Sequence, residues 1–161
     1  MPEPESPVVN ASPLIVLARA GRMELLRSVG DRLLVPDAVA QELTVHSDAA
    51  THVLDTCSWI ARIPRESIAP TVAAWDLGPG ESAVLSWAAK HPGTLAVIDD
   101  YAARKCAAVL RVPVIGTLGL ALRAKVRGQV SAARPLVEEL RRAGLYLSGA
   151  LIREALTLVG E

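Results

Sequence analysis

The stretch LAVIDDYAARK, residues 95–105, decides the fold. An apolar run, Leu95 to Ile98, ends in two adjacent carboxylates, Asp99 and Asp100, and a helix-like pattern follows at once. A short, continuously apolar run reads as a strand buried on both faces, the mark of a parallel sheet. Adjacent acids at the end of such a strand repel each other. They need something to hold, either a cation or the free N–H groups of a helix start.

Outward from this stretch, short apolar runs alternate with helical patterns. PVVNA (7–11) is a first strand. The following segment, 12–26, is helical, with Ser12 as N-cap, Pro13 at the first helical position and Gly21 interrupting. Strand DRLLVP (31–36) leads into helix 36–43; helix 48–57 leads into strand SWIARIP (58–64). Helix 78–91 opens on glycine, GTLAVIDD (93–100) is the fourth strand, 101–110 a helix, and RVPVIG (111–116) the last strand. Helices near 117–127, 134–143 and 148–159 close the chain, and Arg123, Lys125, Arg127, Arg134, Arg141 and Arg142 make this part basic. Such alternation predicts an α/β fold with a parallel sheet covered on both faces. All strand ends then lie on one edge, where open sheets bind ligands at the point of strand-order reversal. Asn10 ends the first strand and Asp99 and Asp100 the fourth, so they meet there if the two strands are neighbours.

Glu42 and Glu81 join this group as candidates. Glu42 sits among apolar Val39 and Leu43 in the helix after strand two, and Glu81 in the first turn of the helix before strand four. Carboxylates of this kind suit Mg²⁺ or Mn²⁺, which prefer hard oxygen ligands and keep several waters. Each residue also has a plainer reading. Glu81 complements a helix dipole, Asp99 or Asp100 caps the next helix, Glu42 is solvated, and Asn10 and Ser12 organise a turn.

With 161 residues, the expectation is one domain, 1–161, with its basic helical part at about 117–159. Hydrophobic residues make up 51% of the chain, enough for a core, which argues against disorder. Aromatics are only 3%, so stacking platforms for single-stranded nucleic acid are scarce. The 17 basic and 17 acidic residues cancel, unlike a generic polyanion binder. Cys57 and Cys106 form neither a zinc pattern nor a disulfide framework and read as free thiols. The start, MPEPESP, is unlike a signal peptide, and no apolar run is long enough for a membrane helix. A cytoplasmic location is expected.

The segments VVNASPLIVLARAGRMELL (8–26), LLVPDAVAQEL (33–43), GPGESAVLSWAAKHPGTLAVIDDYAARKCAAVLRVPVIGTLGLALRAKVRG (78–128) and RPLVEELRRAGLYLS (134–148) span nearly the whole chain. In order and spacing they resemble the PIN-domain ribonucleases, the fold of VapC-type toxins, and within them a prokaryotic PIN-like subfamily. The resemblance implies a three-layer α/β/α sandwich with strand order 3-2-1-4-5. It implies hydrolysis of RNA phosphodiesters with Mg²⁺ or Mn²⁺ in an acidic pocket, a homodimer, and a small antitoxin that covers the site. The family's first acid falls on Asn10, with Ser12 as the small hydroxyl residue after it. The second falls on Glu42, the third on Glu81, and the fourth on Asp99 with Asp100 beside it. Glu42, Glu81 and Asp99 are thus the expected catalytic ligands. Asn10 departs from the pattern, since a neutral amide offers an oxygen but no charge. A catalytically degenerate module that binds RNA or protein therefore stays open.

Arg19, Arg104, Lys105, Arg123 and Lys125 are candidate phosphate contacts on RNA. Ser12 is not read as a nucleophile, because no histidine stands in a comparable place. Thr117 reads as a helix N-cap. The segment GTLG (116–119) lacks the later Gly-Lys of a phosphate loop, and no G-x-G-x-x-G follows the first strand. A receiver-like phosphoacceptor does not fit either, since the acidic pair ends the fourth strand and the last strand ends in Gly116.

Overall fold

Strands β1 (Val8–Val9), β2 (Leu33–Pro36), β3 (Ile60–Ile63), β4 (Ala96–Val97) and β5 (Val114–Ile115) form one parallel sheet in the order β3-β2-β1-β4-β5. This is the order the resemblance implied. The structure, a computed structural model, describes residues 5–161; the first four residues of the proline-rich start lie outside the described residues. Val8, Val9, Ala96 and Val97 have no exposed surface, as expected for strands covered on both faces. The strands are shorter than the apolar runs that announced them, because only two to four residues of each run pair.

The chain leaves β1 toward β2 and β3 on one side, then returns to add β4 and β5 on the other. The reversal falls between β1 and β4, which pair in the register Val8↔Ala96 and Val9↔Val97. Asn10 follows β1 and donates its N–H to Val97 O at 3.0 Å. Asp99 lies two residues beyond β4. The polar residues therefore do share the edge where ligands bind.

Helices α1 (Ala11–Ala20), α2 (Asp37–His46), α3 (Asp48–Thr56), α4 (Pro70–Ala73), α5 (Pro79–Lys90), α6 (Tyr101–Val109), α7 (Thr117–Val126), α8 (Ala133–Arg142) and α9 (Gly149–Thr157) surround the sheet, with a 3-10 turn at Met23–Ser28. The start of α1 corrects the expectation. Asn10, with an extended backbone, holds the cap position, so Ser12 is the second helical residue and Pro13 the third. Pro13 is tolerated because its missing N–H falls among the unbonded donors of the first turn. The helix stops at Ala20, short of the expected 26. Gly21 adopts φ +66°, its N–H bonds Ala18 O, and the Arg22 N–H bonds Leu17 O. That pair of bonds is a Schellman ending, and it needs a residue that enters the left-handed region freely.

Helix α8 buries Leu136, Val137 and Leu140. Glu161 closes its start, accepting from the N–H groups of Ala133 (2.6 Å) and Arg134 (3.1 Å), bonds that hold its carboxyl below the usual range. Arg22 grips Glu139 of α8 through Nε (2.5 Å) and Nη2 (3.2 Å). That hydrogen bond lowers the Glu139 carboxyl and raises the Arg22 guanidinium. Both cysteines are free, and burial pushes the Cys106 thiol up. Among the described residues, no helix is long and apolar enough to cross a membrane.

Candidate active site

Asn10 is the centre of the edge. It is 1% exposed, and its Nδ2 donates to Glu81 Oε1 at 2.9 Å. Its Oδ1 is buried with no hydrogen-bond partner. An orphaned buried acceptor is uncommon in a folded protein and marks a place for a water or an ion.

Glycine 80 makes room beside it. A methyl group on Gly80 would lie 2.9 Å from Asn10 Oδ1 and 2.9 Å from Glu42 Oε2, against the wall formed by Val39. The two oxygens thus approach one point from different elements, Asn10 from the end of β1 and Glu42 from the second turn of α2. Glu81 follows Gly80 in the first turn of α5. Burial raises the Glu42 carboxyl, and the nearby Glu81 charge raises it further, against a small opposing effect of His46. Two carboxylates and an amide oxygen therefore gather where α2, α5 and β1 meet.

Asp99 and Asp100 each hold a helix. Asp99 accepts from the Thr117 N–H and from Thr117 Oγ1, both at 2.7 Å, and so fastens the start of α7. Thr117 is fully buried. It is the first helical residue, with Gly116 at the cap position, which corrects its reading as an N-cap. Asp100 caps α6 by accepting from the Ala103 N–H at 2.8 Å. Beside Asp99, a methyl group on Gly116 would lie 2.7 Å from Arg104 Nη1 and 3.0 Å from Asp99 Oδ1, so the absent side chain lets Arg104 approach the acid. Arg104 Nη1 donates to Ile98 O at 3.2 Å.

Among the described residues, no three His, Cys, Asp or Glu side chains come close enough together to hold a metal ion. The structure brings Asn10, Glu42 and Glu81 together and leaves Asp99 and Asp100 with their helices. The gathered set still suits a hard cation. Mg²⁺ is commonly held by one or two carboxylates with water filling the remaining positions, and the orphaned Oδ1 supplies a third oxygen.

Ser12 is exposed at the start of α1. Of the expected RNA contacts, Arg104 stands beside Asp99, and Lys105 on the same helix lies 5.0 Å over the Tyr101 ring. Arg19 is exposed in the last turn of α1. Arg123 Nη1 donates to Ser28 O at 3.3 Å and Lys125 Nζ to Ser131 O at 2.5 Å. Both sit in the second half of α7 and are engaged in these bonds. Gly80 and Thr117 are site residues that the sequence reading missed. Their signals were the glycine directly before Glu81 in GPGES and the glycine directly before Thr117 in VIGT.

A family model described as a PIN domain matches residues 6–161. No curated protein and no solved structure matches the chain.

Proposed function

The chain belongs to the PIN-domain family, and on that premise we propose that it is a ribonuclease that hydrolyses RNA phosphodiester bonds with Mg²⁺ or Mn²⁺. The observation that carries this reading is the convergence of Asn10 Oδ1, orphaned and buried, with Glu42 Oε2 over Gly80. Glu42, Glu81 and Asn10 would hold the cation, with Asp99, two residues beyond β4 on the same sheet edge, and Asp100 as further candidate ligands. When bound, the cation supplies Lewis-acid charge at the phosphate and an activated water.

The chain's own residues prepare that chemistry. The Asn10 amide N–H fixes Glu81 Oε1 and leaves Oδ1 free to face inward. Glu42 holds its proton to a higher pH than an ordinary carboxyl and must release it before a cation loads. Thr117 fixes both oxygens of Asp99. Arg104, beside Asp99, would meet an RNA phosphate. The biological role that fits is the toxin of a type II toxin–antitoxin pair, acting as a cytoplasmic homodimer, with a small antitoxin covering the acidic edge.

One observation favours a second reading. Among the described residues, no three carboxylates gather, and the residue at the end of β1 is neutral. A degenerate module would bind RNA or a protein partner without cutting. Manganese calorimetry and cleavage of a single-stranded RNA, each run with wild type and Glu42→Ala, Glu81→Ala, decide between them. The ribonuclease reading expects saturable Mn²⁺ binding and cleavage, both lost in the double variant. RNA binding with neither Mn²⁺ uptake nor cleavage at millimolar Mn²⁺ establishes the module instead.

A further inference from the structure

A cavity that the proposed chemistry does not use adjoins the acidic edge. Its volume is about 320 Å³, and it opens between the first turn of α2, the segment after β3 and one flank of α5. That is the lower end of the sizes typical of ligand cavities, which run from roughly 300 Å³ upward. Its walls are largely apolar, formed by Ile63, Ile68, Pro79, Ala83 and Trp87. Pro79, Ala83 and Trp87 recur every four residues and so share one flank of α5.

The polar side chains of the lining are of both kinds, with Arg65 and Trp87 as donors and Asp37 and Glu66 as acceptors. Trp87 carries an indole N–H that is buried and unpartnered. Among the described residues, Arg65 reaches only Gln41 Oε1, at 3.4 Å. No side chain caps α2, whose first residues, Asp37 and Ala38, line the cavity. The carboxylates present are already bonded, Asp37 to Gln41 (3.0 Å) and Glu66 to Lys90 (3.4 Å). Apolar walls with the Arg65 guanidinium and the Trp87 indole N–H suit a flat ring bearing carbonyl and ring-nitrogen acceptors, with an anionic group at the guanidinium.

We propose that this cavity binds one nucleotide of the RNA strand. The base lies among the apolar walls, and the phosphate lies toward Arg65. This rests on the ribonuclease reading and adds where the strand runs. Ala38 in the cavity and Glu42 at the acids lie four residues apart on one face of α2, about 6 Å along its axis. Pro79 in the cavity is joined to Gly80 at the acids. A strand lying along the groove between α2 and α5 places neighbouring nucleotides at the two places.

The experiment is NMR titration of the metal-free full chain with each of the four ribonucleoside 5′-monophosphates, following the three tryptophan indole N–H signals. The Trp87 signal is assigned with Trp87→Phe. The expected result is a saturable shift of the Trp87 signal with at least one nucleotide, while those of Trp59 and Trp75 stay in place. Filling the cavity with Ala83→Phe should abolish it, and Arg65→Ala, an exposed change safe for folding, should weaken it roughly tenfold. No shift with any of the four at millimolar concentration overturns the proposal, as does binding that Arg65→Ala and Ala83→Phe both leave unchanged. Nucleotide binding in a protein that never cuts RNA sinks the ribonuclease reading and leaves the cavity's ligand standing. Cleavage without nucleotide binding does the reverse.

Discussion

Replacing Thr117 with valine removes one hydroxyl and keeps the shape of a fully buried side chain. The hydroxyl donates to Asp99 Oδ2 at 2.7 Å, while the Thr117 backbone N–H, which the substitution spares, holds Oδ1. A hydrogen bond to a charged group contributes roughly 1.5–3 kcal/mol. Asp99 is only half-buried, so water recovers part of the loss and the expected cost is about 1.5 kcal/mol. For a chain of this size that lowers Tm by about 3–6 °C. Urea and thermal unfolding at pH 7 read both quantities. Thr117→Ser should keep most of the stability. In an Asp99→Ala background, Thr117→Val should be neutral or stabilising, because the hydroxyl is then buried without a partner. Equal losses in both backgrounds, or a loss under about 0.3 kcal/mol in the first, would refute the clasp. Manganese calorimetry on the same variant carries a second message. If Asp99 ligates the cation, losing its orienting partner weakens affinity roughly 10–100-fold; if Asp99 serves only α7, affinity is unchanged.

Asn10→Asp places a charge at a position 1% exposed, beside Glu81 and Glu42, so the metal-free protein should lose roughly 2 kcal/mol or more and regain it with Mn²⁺. Melting curves with and without Mn²⁺ check this, and a melt insensitive to Mn²⁺ would contradict it. Gly80→Ala should preserve helix content yet lower Mn²⁺ affinity by roughly tenfold, since its methyl would occupy the space 2.9 Å from Asn10 Oδ1 and Glu42 Oε2. Calorimetry showing wild-type affinity would mean that nothing binds there. Glu139→Gln breaks the half-exposed pair with Arg22 and should cost about 0.5–1 kcal/mol at pH 7. The Glu139 carboxyl is held low in the folded protein, so this stability is present above its unfolded value and is lost as pH falls through the folded one. Urea midpoints of variant and wild type should therefore converge in acid.

The parallel sheet was legible, because doubly buried strands announce themselves as unbroken apolar runs alternating with helices; the strand order that puts Asn10 and Asp99 on one edge came from the resemblance to the PIN family. The approach of Glu42 and Glu81 to Asn10 was expected from the same resemblance. What escaped was the identity of partners. A carboxylate at a strand end reads the same whether it binds a cation, caps the next helix or reaches a helix 18 residues on, as Asp99 does. The start of α1 was misplaced because Ser-Pro signals a helix opening, while Asn10, extended in line with β1, had already taken the cap. Helix α4 was missed because four residues give no period to detect. Gly80 was visible as a letter, but the need for its bareness exists only once Asn10 and Glu42 arrive from elsewhere.

The neighbouring acids Asp99 and Asp100 also set an order of assembly. The Asp100 bond to Ala103 spans three residues and can form as soon as the α6 segment turns. The Asp99 bonds to Thr117 span eighteen and wait until β5 has docked against β4. Closing the longer loop carries the larger entropic cost. One dipeptide thus joins an early local event to a late non-local one. In refolding kinetics, Asp100→Ala should slow the folding arm, while Asp99→Ala should chiefly hasten unfolding.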